Sequence, residues 1–233
     1  MDNARMTNGP GDDKLSRLLS LSVHEFRTPI SVVSGYLRMV LKGPEGVIDE
    51  RCRRMLEEAE KSCGRLTMLV AEMSDLSALE SGTASFKKAP VDLRALLAEA
   101  VAGLPPLTDR SVEVELTTGT GPALVQGDGP RLKGAVISIL LGLRREVVNN
   151  NNLVVREKYG QFRGHSAFWI AIADAENIDT VSSTAEDSLT AFDEWRGGCG
   201  LSLTIARRVF NRHDGSVWSA RDVKSSAVIV LPD

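Results

Sequence analysis

Between Leu15 and Val40, apolar residues return at alternating intervals of three and four, at Leu19, Val23, Phe26, Ile30, Val33, Leu37 and Val40. That spacing predicts one long helix with an apolar seam that packs against other helices. Gly43-Pro44-Glu45-Gly46 ends it. A second amphipathic helix is expected from about Ile48 to Leu79, with Met55, Ala59, Cys63, Leu66, Val70, Met73 and Leu76 at helical spacing. Two long helices joined by a short turn make an antiparallel hairpin. Such a pair alone buries too little apolar surface to stand, so two copies are expected to form a dimeric four-helix bundle.

Beyond Leu79 the pattern changes. Ser81 to Pro90 reads as a linker, and a helix is expected from Val91 to Leu104. Strands follow by alternation over 111–118 and 123–128, then an apolar helix from Arg131 to Val148 and a polar turn at Asn149 to Asn152. The segments 153–160 and 166–174 read as paired strands, Leu201 to Arg212 as a helix, and 215–222 with 225–232 as a closing hairpin. Helices alternating with an antiparallel-rich sheet predict an α/β two-layer sandwich. The expected organisation is a disordered 1–14, a hairpin over 15–80, a linker over 81–90 and the sandwich over 91–233.

Composition narrows the partners. A chain of 233 residues is long enough for two modest domains with their own cores. With 28 Lys+Arg against 31 Asp+Glu there is no basic field to favour nucleic acid or an anionic membrane. Proteins and small ligands are the expected partners. No apolar run reaches the roughly 18 to 20 residues that span a bilayer, and the N-terminus lacks a secretory signal's apolar core, so the chain reads as soluble and cytoplasmic. Cys52 and Cys63 lie three turns apart on one helix, about 16 Å, too far for a disulfide. The three cysteines and three histidines show no metal-ligand spacing.

The candidate chemistry sits in the first helix. His24 is followed by Glu25, then one turn later by Thr28 and Pro29. His24 lies one residue off the apolar seam, a rotation of about 100° that puts it at the edge of the buried stripe with Arg27, Thr28 and Ser31 nearby. A neutral imidazole is a nucleophile near neutral pH, and an adjacent carboxylate can hold its tautomer. Pro29 removes an amide and crowds the Glu25 carbonyl, which predicts a bend just after the histidine.

The HEFRTP block at 24–29 and the segment GGCGLSLTIARRVFNRHDGSVW at 197–218 resemble the transmitter core of a bacterial sensor histidine kinase, over about residues 15 to 233. The resemblance implies a dimerisation and phosphotransfer hairpin followed by a Bergerat-type (GHKL) ATP-binding domain at 91–233. It implies that His24 is the phosphoacceptor, that Glu25 accepts a hydrogen bond from its second ring nitrogen as general base, and that Thr28 positions a water for dephosphorylating a partner. In the second domain Gly198 and Gly200 match the phosphate loop, with Ser202 at the next family glycine. Phe192 and Trp195 match the aromatics that anchor a flexible lid between Ile178 and Phe192. Asp174 matches the acceptor for the adenine amino group, and Arg145 stands where the family usually has lysine.

The departures fall on the same domain. Gly142 replaces the asparagine expected to hold Mg²⁺, the polar residue one turn earlier is Ser138, and Glu176 and Asn177 occupy the stretch where glycines should follow Asp174. Glycine supplies no ligand oxygen, and a carboxylate beside a triphosphate repels it. ATP and Mg²⁺ are therefore expected by family but with binding weakened or lost.

The resemblance implies a histidine kinase of two-component signalling that passes a phosphoryl group from His24 to a response-regulator aspartate. It leaves open an ATP-dependent autokinase, a phosphotransferase or phosphatase with a structural second domain, and a pseudokinase that binds a receiver domain or another kinase. A different GHKL ATPase, such as an anti-sigma kinase, would not explain the hairpin. Specificity for the response regulator is expected around Ser31 to Arg38 and along the second helix.

Overall fold

In the computed structural model, the described residues are 10–43, 48–106, 112–147, 152–196, 198–223 and 225–233, with side chains from Leu18 onward. They divide into two compact units, 1–84 and 85–233.

The first unit is a helical hairpin. Helix α1 runs Pro10–Leu41 and helix α2 Glu50–Glu80. The expected start near Leu15 is corrected to Pro10, which stands at the first helical position where proline's missing amide costs nothing; residues 10–14 are thus helical, and 1–9 lie outside the described residues. The Asp49 carboxylate caps α2 by accepting from the Cys52 amide at 2.8 Å. Arg38 and Glu60 tie the helices with a 2.9 Å ion pair. The turn at 44–46 lies outside the described residues.

The apolar seam is split within this hairpin. On α1 Val23 is buried and Leu19, Ile30 and Leu37 are half-buried, and on α2 Cys63, Val70, Leu76 and Leu79 are buried. Phe26, Val33 and Val40, a second line at seven-residue spacing, are 46–53% exposed. Met55, Leu66 and Leu69 of α2 are exposed too. One partner helix covers one line of a heptad seam, and the other line stays open.

The second unit is a mixed α/β domain. Strand β1 (Ala89–Asp92) pairs antiparallel with β3 (Leu124–Gly127). The six-stranded sheet has the order β2-β4-β5-β8-β7-β6, from β2 (Glu113–Thr117), β4 (Asn152–Phe162), β5 (His165–Asp174), β6 (Leu189–Ala191), β7 (Ser216–Ala220) and β8 (Ala227–Pro232). Every pair is antiparallel except β2 with β4. Helices α3 (Leu93–Ala102), α4 (Gly129–Glu146) and α6 (Ser202–Asn211) cover one face. Asn149 to Asn151 lie outside the described residues, and Asn152 already belongs to β4.

Strand β5 shows how the sheet is sandwiched. Phe168, Ile170 and Ile172 enter the main core with Leu140, Leu143, Leu203 and Phe210. The alternate residues Ala167, Trp169, Ala171 and Ala173 enter a second cluster with Ile178 and Val181 of the short helix α5 (Ile178–Ser183). Both faces of the strand are covered, which is why its sequence reads as one apolar run.

The expected linker is ordered at both ends. Ser81 and Ala84 amides return to the Ser77 and Ala78 carbonyls of α2, and Gly82 takes a φ of 72° that glycine adopts without strain. On the far side Phe86 packs edge-on against His213 at 5.4 Å, and the Lys87 amide donates to Asp128 at 2.8 Å.

Candidate functional site

On α1 the His24 side chain is 82% exposed and Glu25 72% exposed, with Nδ1 of the ring 4.0 Å from Oε1. That distance is too long for a hydrogen bond, so the tautomer-holding bond expected from Glu25 is absent in this geometry. Thr28 is exposed one turn on. Ser31, beside it, spends its hydroxyl on the Arg27 carbonyl at 2.8 Å, whereas Thr28 makes no such bond among the described residues. Pro29 lies inside α1, so the Glu25 carbonyl lacks its usual intrahelical donor. Nucleophile, carboxylate and hydroxyl therefore share one solvent-facing patch beside the open line of Phe26 and Val33.

The residues expected to hold a nucleotide are described in the second unit. Gly142 is buried on α4, and a Cβ there would lie 3.3 Å from Cys199 Sγ and 3.3 Å from Leu203 Cδ2. The ligand position is filled by packing. One turn earlier the Ser138 hydroxyl donates to the Gly134 carbonyl at 3.0 Å. Arg145 donates to the Gly198 carbonyl, holding the glycine segment against α4. Gly198 and Gly200 have φ of 78° and 58°, which side chains rarely adopt, and Ser202 opens α6 with its hydroxyl on the Cys199 carbonyl at 2.7 Å. Burial pushes the Cys199 thiol up, against the pull of Arg145.

Asp174 is captured by its own loop. It accepts from the Glu176 and Asn177 amides at 3.0 and 2.9 Å, while Asn177 Nδ2 donates to both carboxylate oxygens at 2.8 and 2.9 Å. The expected flexible lid is also corrected. Ile178 and Val181 bury α5 on the sheet face opposite α4 and α6, because their three-residue spacing makes one small apolar face. Residues 189–191 then add β6 to the sheet edge. Phe192 is buried in the main core under the Arg196 guanidinium at 5.1 Å, whereas Trp195 is 76% exposed. Arg196 pairs with Glu146 at 2.6 Å.

The structure thus joins Gly142, Arg145, Gly198 and Cys199 at the α4–α6 contact but leaves them occupied with one another. Among the described residues no cluster of His, Cys, Asp or Glu is arranged to hold a metal ion. The residues present do not fit Mg²⁺-nucleotide as the resemblance implies. Sequence reasoning missed Asn177 as the partner of Asp174; the signal was its position three residues on, which favours an Asx-type turn.

Comparison with known proteins bears on both units. Residues 14–82 match the His Kinase A (phospho-acceptor) domain. By that domain and by relatives aligned along most of its length, the chain is similar to sensor histidine kinases. The signal transduction histidine-protein kinase BarA of Escherichia coli K12 is 27% identical over 215 residues, 87% of this chain and 22% of BarA. Sensor protein GacS of Pseudomonas syringae pv. syringae is 25% identical over 214 residues, 87% of this chain and 23% of GacS. The cell-division control histidine kinase PdhS of Brucella abortus strain 2308 is 23% identical across this whole chain and 24% of PdhS. This chain therefore spans under a quarter of the length of these curated relatives.

Among solved structures, full-length ShkA in complex with AMPPNP superposes with a TM-score of 0.66 at 20% identity, covering 92% of this chain and 44% of ShkA. The Acinetobacter baumannii histidine kinase AdeS superposes at 0.50 with 18% identity, covering 89% and 95%. Both likenesses establish the fold of this chain. No helix of the described residues is long and apolar enough to cross a membrane.

Proposed function

We propose that this transmitter core is a homodimeric histidine phosphotransfer protein of two-component signalling. His24 carries the phosphoryl group and passes it to an aspartate of a response-regulator receiver domain. The observation that carries this reading is the 82% exposed imidazole, held on a long helix beside Glu25 and Thr28 at the rim of an open apolar stripe. A second copy covering Phe26, Val33 and Val40 would bury the stripe while leaving His24 at its edge.

The chemistry follows from that position. An unprotonated ring nitrogen supplies the electron pair of the N–P bond, and the Glu25 carboxylate favours the positive charge the ring then acquires. In transfer to the receiver the N–P bond breaks, its electrons return to the ring, and a carboxylate oxygen takes the phosphorus. Thr28 can orient a water toward the receiver's aspartyl phosphate without itself ionising. The exposed flank from Ser31 to Arg38 supports partner choice.

The test starts from a donor that needs no enzyme. The full chain is charged with phosphoramidate, the modified residue is mapped, and receiver domains from the source organism are added. Acid-labile phosphate on His24 that moves to a receiver aspartate, and is lost in His24→Ala without loss of dimer, is expected. A charged His24 that passes phosphate to no receiver refutes the transfer, and receiver binding retained by His24→Ala without any transfer points to a non-catalytic scaffold.

A further inference from the structure

The second unit bears on where the phosphoryl group comes from. A triphosphate with its cation needs oxygen ligands for the metal, free cationic or amide donors for the phosphates, and an acceptor for the base. On α4 the ligand position is Gly142, closed by Cys199 and Leu203 at 3.3 Å, and Ser138 is bonded to its own helix. The Arg145 guanidinium is engaged by the Gly198 carbonyl. The Asp174 carboxylate already receives an amide NH₂ on both oxygens from Asn177, the type of donor an aminopurine would offer. Residues 178–183, which would have to cover a ligand at α4 and α6, are packed into the opposite face of the sheet. At Gly142, Ser138, Arg145 and Asp174 the group a nucleotide would need is either missing or already bonded within the chain.

We infer that the phosphoryl group on His24 is supplied by an acyl phosphate, the aspartyl phosphate of a receiver domain, and not by a nucleotide. The chain is then an intermediate station that both accepts from and donates to receivers. This rests on the phosphotransfer reading above. In the accepting step the ring nitrogen's electron pair forms the N–P bond, the P–O bond of the mixed anhydride breaks, and its electron pair leaves on the aspartate carboxylate. The other ring nitrogen keeps its proton, so no oxidant, reductant or nucleotide enters the balance. The reaction must be preceded by one that phosphorylates the aspartate of that receiver.

The experiment compares donors on the full chain. Radiolabelled receiver aspartyl phosphate, prepared from labelled acetyl phosphate, and γ-labelled ATP with Mg²⁺ are each incubated with the wild type and with His24→Ala. In parallel, ATP binding at millimolar concentration is read by calorimetry with and without Mg²⁺. Label on His24 from the receiver alone, with no heat of ATP binding, is the expected result. Label from ATP in the absence of any other kinase, or Mg²⁺-dependent ATP binding, overturns the inference and leaves the phosphotransfer reading standing. No label from any receiver, in protein that phosphoramidate does charge, also overturns it. Failure of phosphoramidate as well removes the phosphotransfer reading itself.

Discussion

Gly142→Asn separates a site that has lost one ligand from a site that no longer has room for it. Gly142 is buried within α4, and its Cβ direction points at Cys199 Sγ and the two methyls of Leu203, at 3.3, 3.3 and 3.4 Å. Leu203 is fully buried, so it has little freedom to yield. Gly142→Ala gains about 1 kcal/mol of helix propensity and pays for crowding of similar size, about 1–3 kcal/mol. That substitution should be near neutral or mildly destabilising. Asparagine adds a carboxamide beyond the Cβ, and a buried amide without partners costs a further 1–3 kcal/mol or so. The sum is a loss of about 1–5 kcal/mol. Urea unfolding followed by tryptophan fluorescence reads this cleanly, because Trp169, Trp195 and Trp218 all belong to the second unit. A Gly142→Asn protein with an unchanged midpoint that binds ATP in a Mg²⁺-dependent way would refute the packing argument.

Val33→Glu removes one apolar residue from the open line on each copy, about 1.5 kcal/mol apiece; two-fold symmetry doubles this to about 3 kcal/mol, roughly a hundredfold weaker dimer by light scattering. Glu157 is 1% exposed and paired with Arg94 at 2.9 Å, where burial pushes its carboxyl up but Arg94 and the Gly119 amide hold it below its ordinary value. Glu157→Ala leaves the Arg94 guanidinium with only the Thr120 and Gly121 carbonyls as acceptors and no counter-charge, and should cost about 3–5 kcal/mol in urea unfolding. Burial pushes the His213 imidazole below 6.5, against the Val209 carbonyl that favours its charged form, with Lys88, Asp128 and Asp214 as the facing charges. The unfolded ring takes its proton at higher pH than the folded ring, so the stability is complete above pH 6.5 and is lost as pH falls through the folded value. His213→Gln should flatten that part of a stability-versus-pH curve, and an unaltered slope would exclude the ring as its cause.

The helices and the apolar strands were legible because their signals are local. A 3-4 spacing of apolar residues fixes a helix face whatever it packs on, and β5 declares itself through an apolar run too short for a helix of its own. The unread parts depend on distant partners. Which half of the α1 seam meets α2 is set by one crossing helix, so Phe26 and Val33 looked like core and are exposed. Strand β1 is four residues with Pro90 inside an expected linker, and only its pairing with β3 makes it a strand. The loss at Gly142 was visible as a missing oxygen, but its closure comes from Cys199, 57 positions later by subtraction of the two numbers. The capture of Asp174 by Asn177 was local and could have been read from turn chemistry. The destination of 178–183 could not, since Ile178 and Val181 suit either face of a sheet.

The resemblance over 197–218 does not by itself require a nucleotide, because much of that segment builds the fold. Leu203, Ala206, Val209 and Phe210 are the buried side of α6. His213 donates from Nδ1 to the Val209 carbonyl at 2.7 Å and accepts at Nε2 from the Asp128 amide at 2.9 Å, so one neutral tautomer fastens the end of α6 to the cap of α4. Asp128 in turn caps α4 through the Arg131 amide and receives the Lys87 amide. Gly215 leaves no space at all, since a Cβ there would sit 2.4 Å from the Val230 carbonyl and 2.9 Å from Leu231 Cδ2. These constraints act on any sequence that keeps the sheet and α6, with or without a ligand. Gly215→Ala should therefore cost the second unit at least the roughly 1–3 kcal/mol of an overpacked core, and more because the obstacle is backbone. Tryptophan fluorescence should report that loss while helical circular dichroism from the hairpin persists. If Gly215→Ala instead left the unit as stable as wild type, the segment's likeness to its relatives would have to be explained by something other than packing.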